Sequence, residues 1–171
     1  MLQVKNFFRQ VVLAGILLSA FAFSCAAADW QTYRNHEHGF SVEYPADLFT
    51  QRGPSENWEG VRFSTQDGRR FLSVYGFNNG DELPLKQVRD IIIESYSDRE
   101  VTYQRLKDNW FVLSGYEYID DEKMIFYHRL ASNKAGTRFA VFEFVWPVSQ
   151  RDEIEPLVKR MSHSLTTPRP N

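Results

Sequence analysis

From Gly39 onward the chain reads as short runs in which apolar and polar residues alternate. Phe40, Val42 and Tyr44 alternate with Ser41 and Glu43 between Gly39 and Pro45, the two-residue period of a half-buried strand. Pro45 closes the run, because proline has no N–H to give a strand ladder. Val61 to Gln66 and Arg70 to Phe77 repeat the pattern on either side of Asp67-Gly68. An Asp-Gly pair between apolar runs predicts a tight hairpin, with a type I′ turn and positive φ at both central positions.

The period then changes. Leu85, Val88, Ile91, Ile92 and Tyr96 fall at helical spacing, with Lys86, Arg89, Asp90 and Glu94 on the other face. Pro84 suits a first helical turn, where its missing N–H is not needed, so a helix is expected over about 84–98. Strands follow at roughly 101–107, 110–119, 123–132 and 137–146, with turns at Asp108-Asn109, Asp120-Asp121 and Asn133 to Gly136. Strands joined by turns this short are antiparallel, since a parallel pair needs a long crossover. Phe139 to Trp146 is apolar on both faces apart from Glu143, as in a central strand covered on both sides. Ser114-Gly115 within its strand reads as a bulge or a close-packing position. Ile154, Leu157, Val158, Met161 and Leu165 mark a last helix. Ser149 and Asp152 resemble a capping box, but Pro156 would then sit inside the helix, so a start near Glu155 is expected. The pattern predicts an α+β fold, a central antiparallel β-sheet flanked by helices.

Tyr33-x-Asn35 leading into Gly39-Phe-Ser-Val-Glu-Tyr-Pro45 resembles the opening of the PsbP-like α/β/α sandwich superfamily. The later hairpin, mid-chain helix, four-strand meander and final helix follow the same order, so the resemblance runs from about Trp30 to Leu165. That superfamily includes the extrinsic PsbP subunit of photosystem II, a nuclear Ran-binding protein and many exported bacterial proteins. The resemblance implies a module that binds or assists other proteins, without catalysis. No residue specifically matches a photosystem-binding or Ran-binding surface, so neither partner is inferred.

The first residues have a different character. Lys5 and Arg9 precede an uncharged run from Val11 to Phe23, and Ala26-Ala-Ala28 and Asp29 follow. This is the order of a secretory signal peptide, and the apolar run is shorter than the roughly 20 residues a membrane-spanning helix needs. A signal peptide over 1–28, a domain over 29–165 and a frayed tail over 166–171 are expected, with a periplasmic or secreted product and no membrane span. Cys25 is the only cysteine. In one reading Ala22-Phe-Ser-Cys25 is a lipobox and Cys25 carries a lipid anchor, although Phe23 and Ala22 depart from the usual small residue and leucine. In the other Cys25 leaves with the signal peptide, and the mature domain has neither a disulfide nor thiol chemistry.

Composition narrows the function. The net charge is −2, two units more negative without Lys5 and Arg9, and the basic residues are scattered. Nucleic-acid binding is therefore disfavoured, since it needs a concentrated basic face. Aromatic residues make up 15% of the chain, which favours a sheet with large packing side chains. No catalytic motif stands out: there is no G-x-S-x-G elbow, no phosphate-binding glycine loop, and no set of three residues spaced as metal ligands. No cofactor is expected. His36 and His38 read as solvent-facing loop residues, Asp81-Glu82 as acids at a helix start, and Asp120-Asp-Glu122 as a solvated turn.

Two candidate sites remain. Trp58, in the loop over residues 51–60, with Arg69 and Arg70 across the hairpin, is a candidate surface for another envelope or secreted protein, since Trp and Arg anchor many interfaces. The plainer reading is that Trp58 caps one end of the core. His128 and Glu143 are the candidate lining of a pocket between sheet and helix, for a small-ligand carrier or a hydrolase of unfamiliar type. The plainer reading pairs Glu143 with Arg129 or another base across the sheet. The protein from the exported fraction of its host is expected to have the denatured mass of residues 29–171. A lipid-sized increment on a chain beginning at Cys25 would replace cleavage with acylation.

Overall fold

The computed structural model describes residues 28–54 and 60–169. The expected signal peptide, apart from Ala28, lies outside the described residues, and so does Cys25. Among the described residues nine strands and two α-helices form, in chain order β1 (Trp30–Asn35), β2 (Phe40–Pro45), β3 (Gln51–Pro54), β4 (Gly60–Ser64), β5 (Phe71–Asn78), α1 (Leu85–Ser95), β6 (Glu100–Lys107), β7 (Trp110–Ile119), β8 (Glu122–Ser132), β9 (Arg138–Pro147) and α2 (Arg151–Ser164). β1 and β2 make a two-stranded hairpin, and the other seven form one sheet in the order β3-β4-β5-β9-β8-β7-β6. Every pairing is antiparallel. The predicted α+β fold, an antiparallel sheet flanked by helices, is the one observed.

β9 occupies the middle of the sheet and divides the core in two. Ala140, Phe142, Phe144 and Trp146 face the layer made by α2 and the β1–β2 hairpin, among Phe40, Val42, Tyr44, Phe63, Leu72 and Ile154. Phe139, Val141 and Val145 face α1, among Val88, Phe111, Leu113, Phe126 and Leu130. Each large apolar side chain buried this way contributes about 1.5–3 kcal/mol relative to exposure. β2 is also fastened by polar contacts: the Ser164 hydroxyl accepts the Glu43 N–H at 2.9 Å, and the Thr166 hydroxyl accepts the Ser41 N–H at 2.8 Å.

Several local expectations change. The turn at Asp67-Gly68 is not type I′; only Gly68 has positive φ, at 68°. Thr65 and Asp67 explain this: the Thr65 carbonyl accepts the Gly68 N–H at 3.0 Å, and an Asp67 oxygen accepts the Arg69 N–H at 3.1 Å. The pattern of two positive φ values falls instead at Asp120 and Asp121, at 49° and 63°. The loop expected from residue 51 contains β3, an edge strand paired to β4. In α1, Ile91 is 46% exposed, and Ile93 turns inward beside Ile92 in its place. Asp81 and Glu82 precede the helix in a loop held by Asn79, whose Oδ1 accepts the Leu83 N–H at 3.0 Å.

α2 starts at Arg151, a turn earlier than expected, and keeps Pro156 inside it. Ile154 is fully buried with Val158 and Met161 beside it on the same stripe, and burying Ile154 requires that first turn. Asp152 and Glu153 there also complement the helix dipole. No side-chain hydrogen bond caps α2, so the Ser149–Asp152 box does not form. The tail expected to fray from 166 instead runs beside β2 as far as Arg169, whose N–H reaches the His38 carbonyl at 3.2 Å. His36 is exposed, but His38 is 2% exposed, packed where a Cβ on Gly76 would stand.

Gly115 sits opposite the irregularity in β6 between Val101 and Tyr103. A Cβ there would stand 1.8 Å from the Glu100 carbonyl oxygen. Gly115→Ala is therefore expected to lower stability by about 3 kcal/mol in urea unfolding. Gly80→Ala, at a position with nothing within 4 Å, should leave stability unchanged.

Candidate functional site

His128 and Glu143 do come together, on the α1 face. They are direct register partners on β8 and β9. His128 Nδ1–H donates to Glu143 Oε2 at 3.0 Å, and the imidazole stacks on Phe111 with ring centroids 6.0 Å apart. The same register turns Arg129 to the opposite face, so it does not pair with Glu143. The base that does is Arg99, delivered by the segment after α1. Its Nη1 and Nη2 donate to the two Glu143 oxygens at 2.8 and 2.9 Å, and its Nε donates to Glu117 on β7 at 2.7 Å. The guanidinium lies over the rings of Tyr96 and Phe126, at 4.8 and 4.9 Å from their centroids.

The electrostatics follow from this geometry. Burial works to raise the Glu143 pKa, but the hydrogen bonds from His128 and Arg99, and their charge, outweigh it and hold it at about 2. Burial pushes the Tyr96 phenol up, and Glu143 adds to that rise. Burial opposes the charge of Arg99, yet Glu143 and Glu117 raise its pKa above the ordinary value. A general base is most effective with a pKa near the working pH. Glu143 is instead fixed as an anion with both oxygens occupied, which suits a structural tie between α1 and the sheet. Arg99 was not singled out in the sequence, because its partners lie 18 and 44 residues away.

The second candidate set is only partly described, since Trp58 lies outside the described residues. Arg69 forms a two-point pair with Glu122, with Nε–Oε2 at 3.0 Å. Arg70 donates to Gln150 at 2.7 Å and to Glu153 at 3.2 Å, at the start of α2. Both arginines thus join the β4–β5 hairpin to neighbouring elements.

A larger feature opens on the opposite face from Glu143. α2 and the β1–β2 hairpin roof the β3-β4-β5-β9 part of the sheet, and a groove of about 1040 Å³ runs between α2 and strands β6 to β8. Alternation puts Trp110, Tyr116, Tyr127, Arg129 and Arg105 along its floor, with Trp146 at its inner side. Arg151 and Lys159 stand on the α2 wall. The Arg129 guanidinium lies over Trp110 at 4.5 Å, and Arg105 lies over the same ring at 5.7 Å. Arg151 donates to the Tyr116 hydroxyl at 2.8 Å, and Tyr127 bonds Ser162 of α2 at 3.0 Å. The signal in the sequence is that Tyr127 and Arg129 share a period-two face with Ile125, so one face of an otherwise apolar strand turns polar and aromatic. Among the described residues no three His, Cys, Asp or Glu side chains are grouped to hold a metal ion. No helix among them is long and apolar enough to cross a membrane.

These features place the chain in a structural class. Over 84% of its length it superposes on cyanobacterial PsbP (CyanoP) from Synechocystis sp. PCC 6803, with a TM-score of 0.61, 14% identity and 95% of that chain covered. The Ran-binding protein Mog1p of Saccharomyces cerevisiae matches 82% of this chain and 96% of its own, with a TM-score of 0.56 and 11% identity. LpqN of Mycobacterium tuberculosis, involved in cell envelope biogenesis, matches 83% of this chain and 91% of its own, at 0.55 and 9%. The chain has a PsbP-like α+β fold. No family model and no curated protein sequence matches it.

A depressed carboxylate pKa contributes stability that is present above the unfolded-state value, near 4.5 for Glu143, and is lost as pH falls toward about 2. Urea unfolding between pH 5 and 2 should therefore show a loss of up to ~3 kcal/mol from this group. Glu143→Gln should remove that component, so its acid slope is shallower than that of the parent. Equal slopes would mean the cluster does not hold Glu143 ionised.

Proposed function

We propose that this chain is a non-catalytic protein-binding or assembly-assisting module, exported through its N-terminal segment to a periplasmic or extracellular site, with the groove beside α2 as its contact surface. The groove is the observation that carries this reading. It is open and lined by aromatic and arginine side chains, the residue types that contribute most to protein interfaces. The one acid–base constellation considered for chemistry, His128 with Glu143, is committed to Arg99 on the other face. Mog1p, a Ran-binding protein by name, shares the fold at 11% identity; that supports a fold suited to holding a protein partner and does not transfer Ran. The order of Lys5, Arg9, the apolar run and Ala26-Ala-Ala28 supports export.

Tyr103 stands on the groove rim and is 51% exposed, whereas Tyr118 is 67% exposed and is not part of the groove lining. A photo-crosslinking phenylalanine analogue at position 103 is expected to capture one identifiable protein in the exported fraction, and the same analogue at 118 is not. Background capture at both positions would overturn the reading.

A further inference from the structure

The groove contains hydrogen-bond donors without acceptors. Trp146 is 1% exposed, lines the groove, and its Nε1 has no hydrogen-bond partner among the described residues. The Nε of Arg129 is likewise without one. A buried donor left unpaired is costly, and native proteins usually satisfy such groups. Arg105 and Arg129 lack a carboxylate partner among the described residues. Counting Arg105, Arg129, Arg151 and Lys159 against Asp152 and Glu155, the lining carries a surplus of positive charge in a protein of net charge −2.

The donors are spread along the groove. Trp146 pairs in register with Ile125, and Ile125 with Tyr116, whose ring has Lys123 Nζ 4.0 Å from its centroid and whose hydroxyl accepts from Arg151. Arg129 lies four residues further along β8, with Arg105 beside it across Val112. Four residues of strand span about 13 Å. An extended chain laid along β8 presents side chains i and i+4 to one face at the same spacing.

Resting on the reading of the groove as a protein-contact surface, we propose that it takes an extended acidic segment of a partner protein. One carboxylate of that segment sits against Arg129 and Arg105, and a second, four residues away, accepts from the Trp146 indole N–H beside Arg151. The floor between, where Tyr103, Ser114 and Tyr127 share one cross-strand row, receives the intervening side chain.

The test uses the full exported chain and three probes: the capped peptides Asp-Ala-Phe-Ala-Asp and Asn-Ala-Phe-Ala-Asn, and glutarate as a free diacid. The Asp peptide is expected to shift the Trp146 indole N–H resonance, and the Asn peptide to bind about tenfold more weakly or worse. Arg129→Gln should weaken the Asp peptide by a similar factor. Arg105→Gln, on the exposed edge strand, gives the same reading if the first variant loses stability. Equal binding of the two peptides, binding of neither, or glutarate binding as tightly as the Asp peptide would overturn the proposal, the last by making this a small-acid site. If crosslinking at position 103 persists undiminished in Arg105→Gln while the peptides fail, the protein-binding reading stands and the acidic chemistry falls.

Discussion

β9 is apolar on both faces, and the rest of the molecule is arranged around that fact. Phe142, Phe144 and Trp146 on one side and Phe139, Val141 and Val145 on the other are all at most 1% exposed. A strand like this is stable only with a layer over each face, because either set left in water forfeits the hydrophobic term that drives folding. α1 supplies one layer. α2 and the β1–β2 hairpin supply the other, and the residues after α2 run back along β2 to hold that layer closed. The antiparallel order around β9 brings β5, from the first half of the chain, against the meander of the second half.

The charge inside this strand is the exception, and its neighbours account for it. Glu143 faces α1, where burial alone would favour a neutral carboxyl. Arg99 reaches over from the segment after α1 and meets both Glu143 and Glu117, while His128 holds the same oxygen as one arm of the guanidinium. Buried ion pairs of this kind often add little net stability, yet removing one partner is strongly destabilising. The cluster is therefore better understood as fixing where α1 and the start of β6 lie than as a reservoir of stability. That gives the α1 face a role in architecture.

The two faces are covered unequally, and the functional reading follows from the difference. Hairpin and helix together roof the β3-to-β9 part of one face, but α2 alone borders the β6-to-β8 part, so aromatic and basic side chains there line an open groove. A fold held together by its central strand can leave its far strands partly uncovered without losing the core. Structures of this fold with almost no sequence in common, CyanoP and Mog1p among them, are consistent with a scaffold whose surfaces diverge while its core pattern persists.

Much of the architecture was legible because it rests on local rules. The alternation of Phe40, Val42 and Tyr44, the helical spacing of Val88, Ile92 and Tyr96, and the turns at Asp120-Asp121 and Asn133 to Gly136 each depend on neighbours in the chain. So does the two-faced burial of β9, which no arrangement but a central strand could satisfy. The missed features are long-range: the early start of α2 is set by the pocket that receives Ile154, the burial of His38 by the missing Cβ of Gly76, and the partner of Glu143 by a residue far back in sequence. The groove was missed for the same reason. Trp110, Arg129 and Arg105 lie on three strands, and only register brings them side by side. The sequence by itself determined most of the elements and the central strand, since period and turn chemistry act over a few residues. Tertiary structure alone decided which charges meet and which face stays open, since both depend on strand order and register.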